Sequence, residues 1–148
     1  MSTVFTQIIN RELPGRIVYE DDDAFCILPR GHFVNPGHML VIPKAEVDYI
    51  FDLDDETYHQ LWALSKKLAG PLKALTGANR IGIAVEGFSV PHVHIHLCPL
   101  YDEADLSPHR NEPWSEQDRD EFVETFIAKL SESAVTQIMA SGVTGVAK

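Results

Sequence analysis

The chain has 148 residues, of which 45% are hydrophobic and 23% charged, a size and balance that fit one compact domain with a buried core rather than two domains or a disordered tail. Twelve Lys and Arg stand against 22 Asp and Glu, a formal charge of −10, which is opposite in sign to that of a protein gripping nucleic acid polymers by their phosphates. A small anionic ligand therefore has to be held by local donors, against the mean field.

Met1 to Asn10 has no basic start and only a short apolar patch, so neither a signal peptide nor a membrane anchor is expected. Ile17 to Tyr19 and Ala24 to Leu28 are apolar runs separated by the acidic turn Glu20 to Asp23, the pattern of a hairpin. Cys26 and Cys98 are far apart and lack a repeated spacing; they are expected to be small buried hydrophobes in a reducing, cytoplasmic setting. Asn35-Pro36-Gly37 makes a turn, after which His38, Leu40 and Ile42 alternate with Met39 and Val41 until Pro43 ends a third strand.

Asp54 is placed to cap a helix with Asp55 and Glu56 in its first turn and Leu61, Leu64, Leu68, Leu72 and Leu75 at helical spacing, ending at Gly77. Pro71 should kink or break it. Trp62, beside the leucine stripe, is expected in the core. Ile81, Ile83 and Val85 alternate with Gly82, Ala84 and Glu86 in a fourth strand, and His92 to Cys98 makes a fifth. Ser115 and Asp118 resemble a capping box at the start of a last helix over about 115–133, with Trp114 stapling it and Phe122, Phe126, Ile127 and Leu130 on its apolar side. From Val135 onward no pattern is assignable. Five strands with short links and helices segregated in sequence indicate an α+β fold with an antiparallel sheet.

The segment richest in chemistry is His92-Val93-His94-Ile95-His96-Leu97-Cys98. Strand alternation sends Val93, Ile95 and Leu97 into a core and sets His92, His94 and His96 in one row on the opposite face, about 6.5 to 7 Å apart. Three readings stand side by side. The row could be a solvated polar face, although Thr or Tyr suits such a face better. It could ligate a metal, with two ligands from a His-x-His pair and a third from elsewhere, although the segment offers no carboxylate placed to accept from the ligating rings, Glu46 and Glu86 being conceivable but unplaced. Or it could act on phosphorus: a neutral imidazole is a good nucleophile near its ordinary pKa of about 6.5. The phosphoryl-imidazole it forms is open to water, and flanking rings can donate to the non-bridging oxygens. The middle ring, His94, is best served by two neighbours.

This segment closely resembles the histidine triad (HIT) family, whose signature is His-apolar-His-apolar-His followed by two apolar residues. Phe5-Thr6-Gln7-Ile8-Ile9, Pro14 to Asp22 and Asn35 to Lys44 are similar to family sequence in the same order, so the resemblance spans about Phe5 to Pro99. It implies a five-stranded antiparallel sheet with flanking helices, usually doubled into a homodimer with one continuous sheet. It also implies nucleotidyl transfer or hydrolysis at the α-phosphate of a small-molecule nucleotide, without a cofactor. His94 would be the nucleophile, and His92 and His96 would assist through hydrogen bonds. Ser89 would stand near the leaving group, His38 would line the same pocket, and Lys44 would close the strand beside the site.

Some positions depart from the family pattern. Thr3, Thr6 and Glu46 stand where some members have two cysteines and a histidine, so the structural zinc of those members is not expected. Arg30 stands where an Asp or Asn commonly meets the ribose, and could instead engage a phosphate; Phe88 stands where a Gln is common. The functional expectation is a hydrolase or transferase for nucleoside phosphoramidates or dinucleoside polyphosphates. The alternatives are a nucleotide sensor without turnover and a His-ligated metal site.

Overall fold

The structure is a computed structural model that describes residues 2–140. A helix α1 (Val4–Ile9) leads into β1 (Ile17–Glu20) and β2 (Ala24–Ile27), followed by β3 (Met39–Pro43). A 3₁₀ turn at Ile50–Asp52 precedes the long α2 (Asp55–Thr76), then β4 (Arg80–Ala84), β5 (Ile95–Leu100) and α3 (Glu116–Ala140). The strands form one five-stranded sheet in the order β1-β2-β3-β5-β4. Every neighbouring pair is antiparallel, as the α+β expectation required.

Alternation along the strands divides the interior. Cys26, Met39, Val41, Ile95 and Leu97 face α2 and α3, meeting Leu61, Leu64, Leu68, Leu72 and Phe126 in the larger core. The opposite faces of β2 and β3 carry Phe25, Ile27, Leu40 and Ile42, which pack with Phe5 and Ile8 of α1. Because both faces are covered, β2 and β3 are buried at every position. Both cysteines are buried and free.

The helix ends follow their sequence signals. The Asp54 carboxylate accepts from Thr57 N–H at 2.7 Å, and Gly77 closes α2 in the left-handed region at φ 73. Ser115 Oγ accepts from Asp118 N–H at 3.1 Å at the start of α3. Trp114 packs edge-on against Phe33 and Phe122.

Five expectations are corrected. The helix α1 was not legible as one; its cap is Thr3, whose hydroxyl accepts from Thr6 N–H. Pro71 does not break α2, which runs through it to Thr76. The carbonyl that Pro71 leaves without an intrahelical donor belongs to the exposed Lys67, where water can satisfy it, while Leu68 and Leu72 are fully buried and hold both sides of the proline in place. The fifth strand begins at Ile95, not His92, because Val93 N–H donates sideways to Val47 O at 2.8 Å rather than to the sheet. The last helix continues past 133 to Ala140, and positions 141–148 of the unassigned tail lie outside the described residues. Ile127 is 44% exposed, and Val123 takes its place in the apolar stripe.

The turn before β3 sets the position of His38. His38 N–H closes it onto Asn35 O at 3.1 Å, with Pro36 and Gly37 at the central positions and Gly37 at φ 102. A Cβ on Gly37 would stand 2.9 Å from both Pro99 Cγ and Thr76 Cγ2. Gly37→Ala combines a disfavoured backbone with a clash on both sides, so it should lower stability by about 1–3 kcal/mol. A denaturant midpoint unchanged from the parent chain would contradict this.

Candidate active site

Pairing of β3 with β5 sets Leu40 opposite His96 and Met39 opposite Leu97. Leu40 belongs to the α1 face, so His96 is on that face too, and His38, just before β3, comes beside it. The ring centroids of His38 and His96 are 5.2 Å apart, and those of His94 and His96 are also 5.2 Å apart. Phe5 from α1 sets its edge against His94 at 5.0 Å and against His92 at 5.6 Å. The unforeseen first helix therefore forms a wall of the site.

Hydrogen bonds assign the proton on each ring. Val34 N–H donates to His38 Nδ1 at 2.9 Å, so neutral His38 carries its proton on Nε2. That Nε2–H donates to His96 Nδ1 at 2.9 Å, which leaves His96 with a proton on Nε2. His94 Nδ1–H donates to the His92 carbonyl at 2.7 Å, so His94 Nε2 bears a free lone pair. His92 Nε2–H donates to Pro43 O at 2.7 Å, and the Thr3 hydroxyl donates to His92 Nδ1 at 2.6 Å. Two adjacent rings are thus prepared differently: His94 can give an electron pair, whereas His96 can give a proton.

Burial supports these neutral forms. His92, His94 and His38 are 0%, 3% and 3% exposed. Burial pushes His38 down to about 3, helped by His96 and then His32. Burial likewise pushes His96 down to about 4, helped by His94 and then His32. His94 and His92 are lowered chiefly by the same loss of water, partly offset by their bonds to the His92 and Pro43 carbonyls.

A cavity of about 470 Å³ opens over His38, His94 and His96, with Val4, Phe5, Ile27 and Leu40 on its apolar side. Ser89 and the 94% exposed Phe88 line it from the loop before β5, and Arg30 lines it from the loop after β2. Two expected site residues lie elsewhere. The His92 ring is turned away, held between Thr3 and Pro43, and contributes its carbonyl instead. Lys44 is outside the lining, with its ammonium 3.1 Å from Glu20 Oε2.

Sequence reasoning missed His32 and left Glu86 without a place; both line this cavity. His32 has no partner spacing and reaches the site through a residue with φ 66 in the loop before β3, a conformation that nothing in the sequence signalled.

Thr3 and Glu46, with Thr6 one turn on, lie beside His92. Glu46 accepts from Thr3 N–H at 2.6 Å, and the Thr3 hydroxyl is engaged by His92. Thr6 Oγ1 is buried without a partner. One imidazole, one carboxylate and two hydroxyls are poor zinc ligands, and the imidazole is already bonded at both nitrogens, so these residues do not fit a structural zinc. Among the described residues no other group of three or more His, Cys, Asp or Glu is arranged to hold a metal.

The HIT domain family matches residues 10–103. The chain belongs to the HIT family. It is 32% identical over 108 residues to "Protein hit" of Bacillus subtilis, an alignment covering 69% of this chain and 73% of that protein. It is 33% identical over 108 residues to an uncharacterized HIT-like protein of Borreliella burgdorferi, covering 66% of this chain and 75% of that protein. Among solved structures, a zinc-bound histidine triad family protein from Mycobacterium smegmatis superposes with a TM-score of 0.78 at 28% identity, covering 92% of this chain and 98% of that one. A Hit-like protein from Bartonella henselae, described as involved in cell-cycle regulation, gives a TM-score of 0.74 at 28% identity over 86% of this chain and 96% of that one. Among the described residues of this HIT protein, no helix is long and apolar enough to cross a membrane.

The buried rings couple folding to pH. The unfolded chain takes up protons near the ordinary histidine value of 6.5, whereas native His38 and His96 refuse them until about 3 and 4. The unfolded state therefore binds more protons below 6.5, and stability falls as pH drops through that window. Thermal unfolding should be insensitive to pH above 6.5 and decline from there toward 4, with a shallower decline in His38→Gln. A stability that rises on acidification from 6.5 would exclude neutral buried rings.

Proposed function

We propose that this HIT protein is a nucleotide hydrolase or nucleotidyl transferase that acts at a substituted α-phosphate, on a nucleoside phosphoramidate or a dinucleoside polyphosphate. The observation that carries the proposal is the opposite preparation of two adjacent rings, a lone pair on His94 Nε2 and a proton on His96 Nε2. The nucleoside would rest on the apolar side formed by Val4, Phe5, Ile27 and Leu40, with its phosphate over the histidines.

His94 Nε2 attacks phosphorus, forming a nitrogen–phosphorus bond while the bond to the substituent breaks. The His92 carbonyl, already accepting from His94 Nδ1–H, stabilises the positive charge that develops on the ring. The substituent leaves with its bonding pair while His96 Nε2–H donates a hydrogen bond to it, and takes its proton from solvent, with Ser89 at hand as a second hydroxyl donor. Water then attacks phosphorus, the electron pair returns to His94, and the water's proton is released to solvent. Arg30 and Phe88 are proposed as nucleotide contacts at the cavity mouth; Lys44, committed to Glu20, is not assigned a contact.

His94→Ala should lower turnover by about ten-thousandfold while nucleotide binding stays measurable. His96→Gln should cost about a hundredfold with a basic leaving group and much less with an acidic phenol, which needs no proton. Quenching in alkaline denaturant, which preserves a phosphorus–nitrogen bond, followed by peptide mass spectrometry should find the nucleotidyl group on His94. Tight nucleotide binding with neither adduct nor product would favour the sensor reading instead.

A homodimer is proposed across β4, the sheet edge that lies away from α3 and carries Ile83 at 42% exposure. Sedimentation should then give twice the chain mass of 16.5 kDa, and Ile83→Lys should reduce it to one.

A further inference from the structure

The cavity over the histidines continues past its apolar wall. Ile27 pairs with Leu40 across β2 and β3, so the chain leaving β2 passes the His38 end of β3, where Pro29 and Arg30 line the cavity. The same two residues line a neighbouring polar groove of about 620 Å³, to which the approach to β1 contributes Arg16 and α3 contributes Glu116, Arg119 and Asp120. In the sheet order, β3 alone separates the strand carrying His96 from the strand that leads to Arg30. Two strand spacings come to about 10 Å, room for a sugar bearing a phosphate at each end with a guanidinium beside the second.

The charges of the groove fall into two sets. Arg16 Nε lies 2.8 Å from Asp120 Oδ1 and its Nη2 3.7 Å from Glu116 Oε1, so both carboxylates already have a cation. Arg30 and Arg119, by contrast, have no carboxylate at ion-pair distance among the described residues. Arg119 stands over the Phe33 ring at 5.1 Å, and its Nη1 donates to the Arg30 carbonyl at 3.3 Å, which holds the two arginines together. The Arg30 side chain is exposed and makes no hydrogen bond among the described residues. In a chain of charge −10, with 22 acids against 12 bases, two neighbouring arginines without a carboxylate reverse the field locally. A free guanidinium fork matches a phosphate bidentately, whereas a pair of sugar hydroxyls leaves most of its donors unused.

We propose that this groove is a second phosphate site, and that the nucleotide the protein recognises carries a phosphate monoester on a secondary hydroxyl of its ribose, held by Arg30 with Arg119 beside it. The inference rests on the nucleotidyl-transfer function proposed above and narrows its substrate class. The base keeps the apolar wall, the 5′-phosphorus stays over His94, and the far side of the sugar turns to the groove. Glu116 and Asp120 confine the anion to the Arg30 end.

The test measures, by calorimetry on the full chain, the affinities of AMP, ADP, adenosine 2′,5′-bisphosphate and adenosine 3′,5′-bisphosphate. At least one bisphosphate should bind about tenfold or more tighter than AMP, and the isomer that does so identifies the hydroxyl facing Arg30. ADP, whose second phosphate is on the 5′ side, should gain less than about threefold. Arg30 is exposed, so its variants probe the groove without disturbing the core. Arg30→Gln should bring the ratio of bisphosphate to AMP affinity to about one, Arg30→Lys should keep part of it, and Arg119→Gln should lower it by about threefold. Bisphosphates that bind no better than AMP, an equal gain for ADP, or a preference that survives Arg30→Gln would overturn the inference while leaving the chemistry at His94 standing. Failure to bind any of the four nucleotides would overturn both proposals together.

Discussion

The bond from His94 Nδ1–H to the carbonyl of His92 constrains the whole site. It fixes which nitrogen of the middle ring is free, and it exists only because the backbone at His92 leaves the strand pattern and turns its carbonyl back toward the ring two residues on. That turn is itself held: the His92 ring is anchored at one nitrogen to Pro43 and at the other to Thr3, which caps α1. The first helix, the end of β3 and the approach to β5 thereby share one polar network, with Glu46 bound to the Thr3 backbone at its margin.

A second chain of bonds, from Val34 through His38 to His96, imposes the complementary state on the neighbouring ring. Neutral imidazoles are needed in both chains, since a protonated His38 would set two N–H groups against each other at Val34. Burial removes the protonated forms from competition at neutral pH. Two side chains of the same type, 5.2 Å apart, come to offer opposite chemistry without any charged neighbour having to be paired with either.

The N-terminal segment is bound into the same network. Here α1 is tied to the histidine segment by a threonine hydroxyl and a glutamate, a donor set suited to hydrogen bonding and ill suited to zinc. Phe5, placed by that helix, touches both His92 and His94 and also belongs to the smaller core. Packing energy and site geometry therefore depend on the same short helix.

Much of the sheet was legible because its signals are local. Alternation marked β1 to β3, Asp54 and Gly77 bracketed α2, and the triad's own spacing placed Val93, Ile95 and Leu97 in the core. Family resemblance added His38 and Ser89, which both line the cavity. Local signals failed where a distant partner decided the outcome. Pro71 stays helical because buried leucines flank it, β5 starts late because Val47 claims the Val93 amide, and Lys44 turns to Glu20. His32 enters the site through a loop residue with positive φ.

By itself the sequence determined that Val93, Ile95 and Leu97 would enter the core and leave the intervening His94 and His96 on the other face, since period-two alternation is a property of the chain alone. Only the tertiary structure decided which nitrogen of each ring carries the proton. The partners that settle it, Val34, Thr3 and Pro43, lie on other segments brought there by folding, apart from the His92 carbonyl, whose direction the fold also sets.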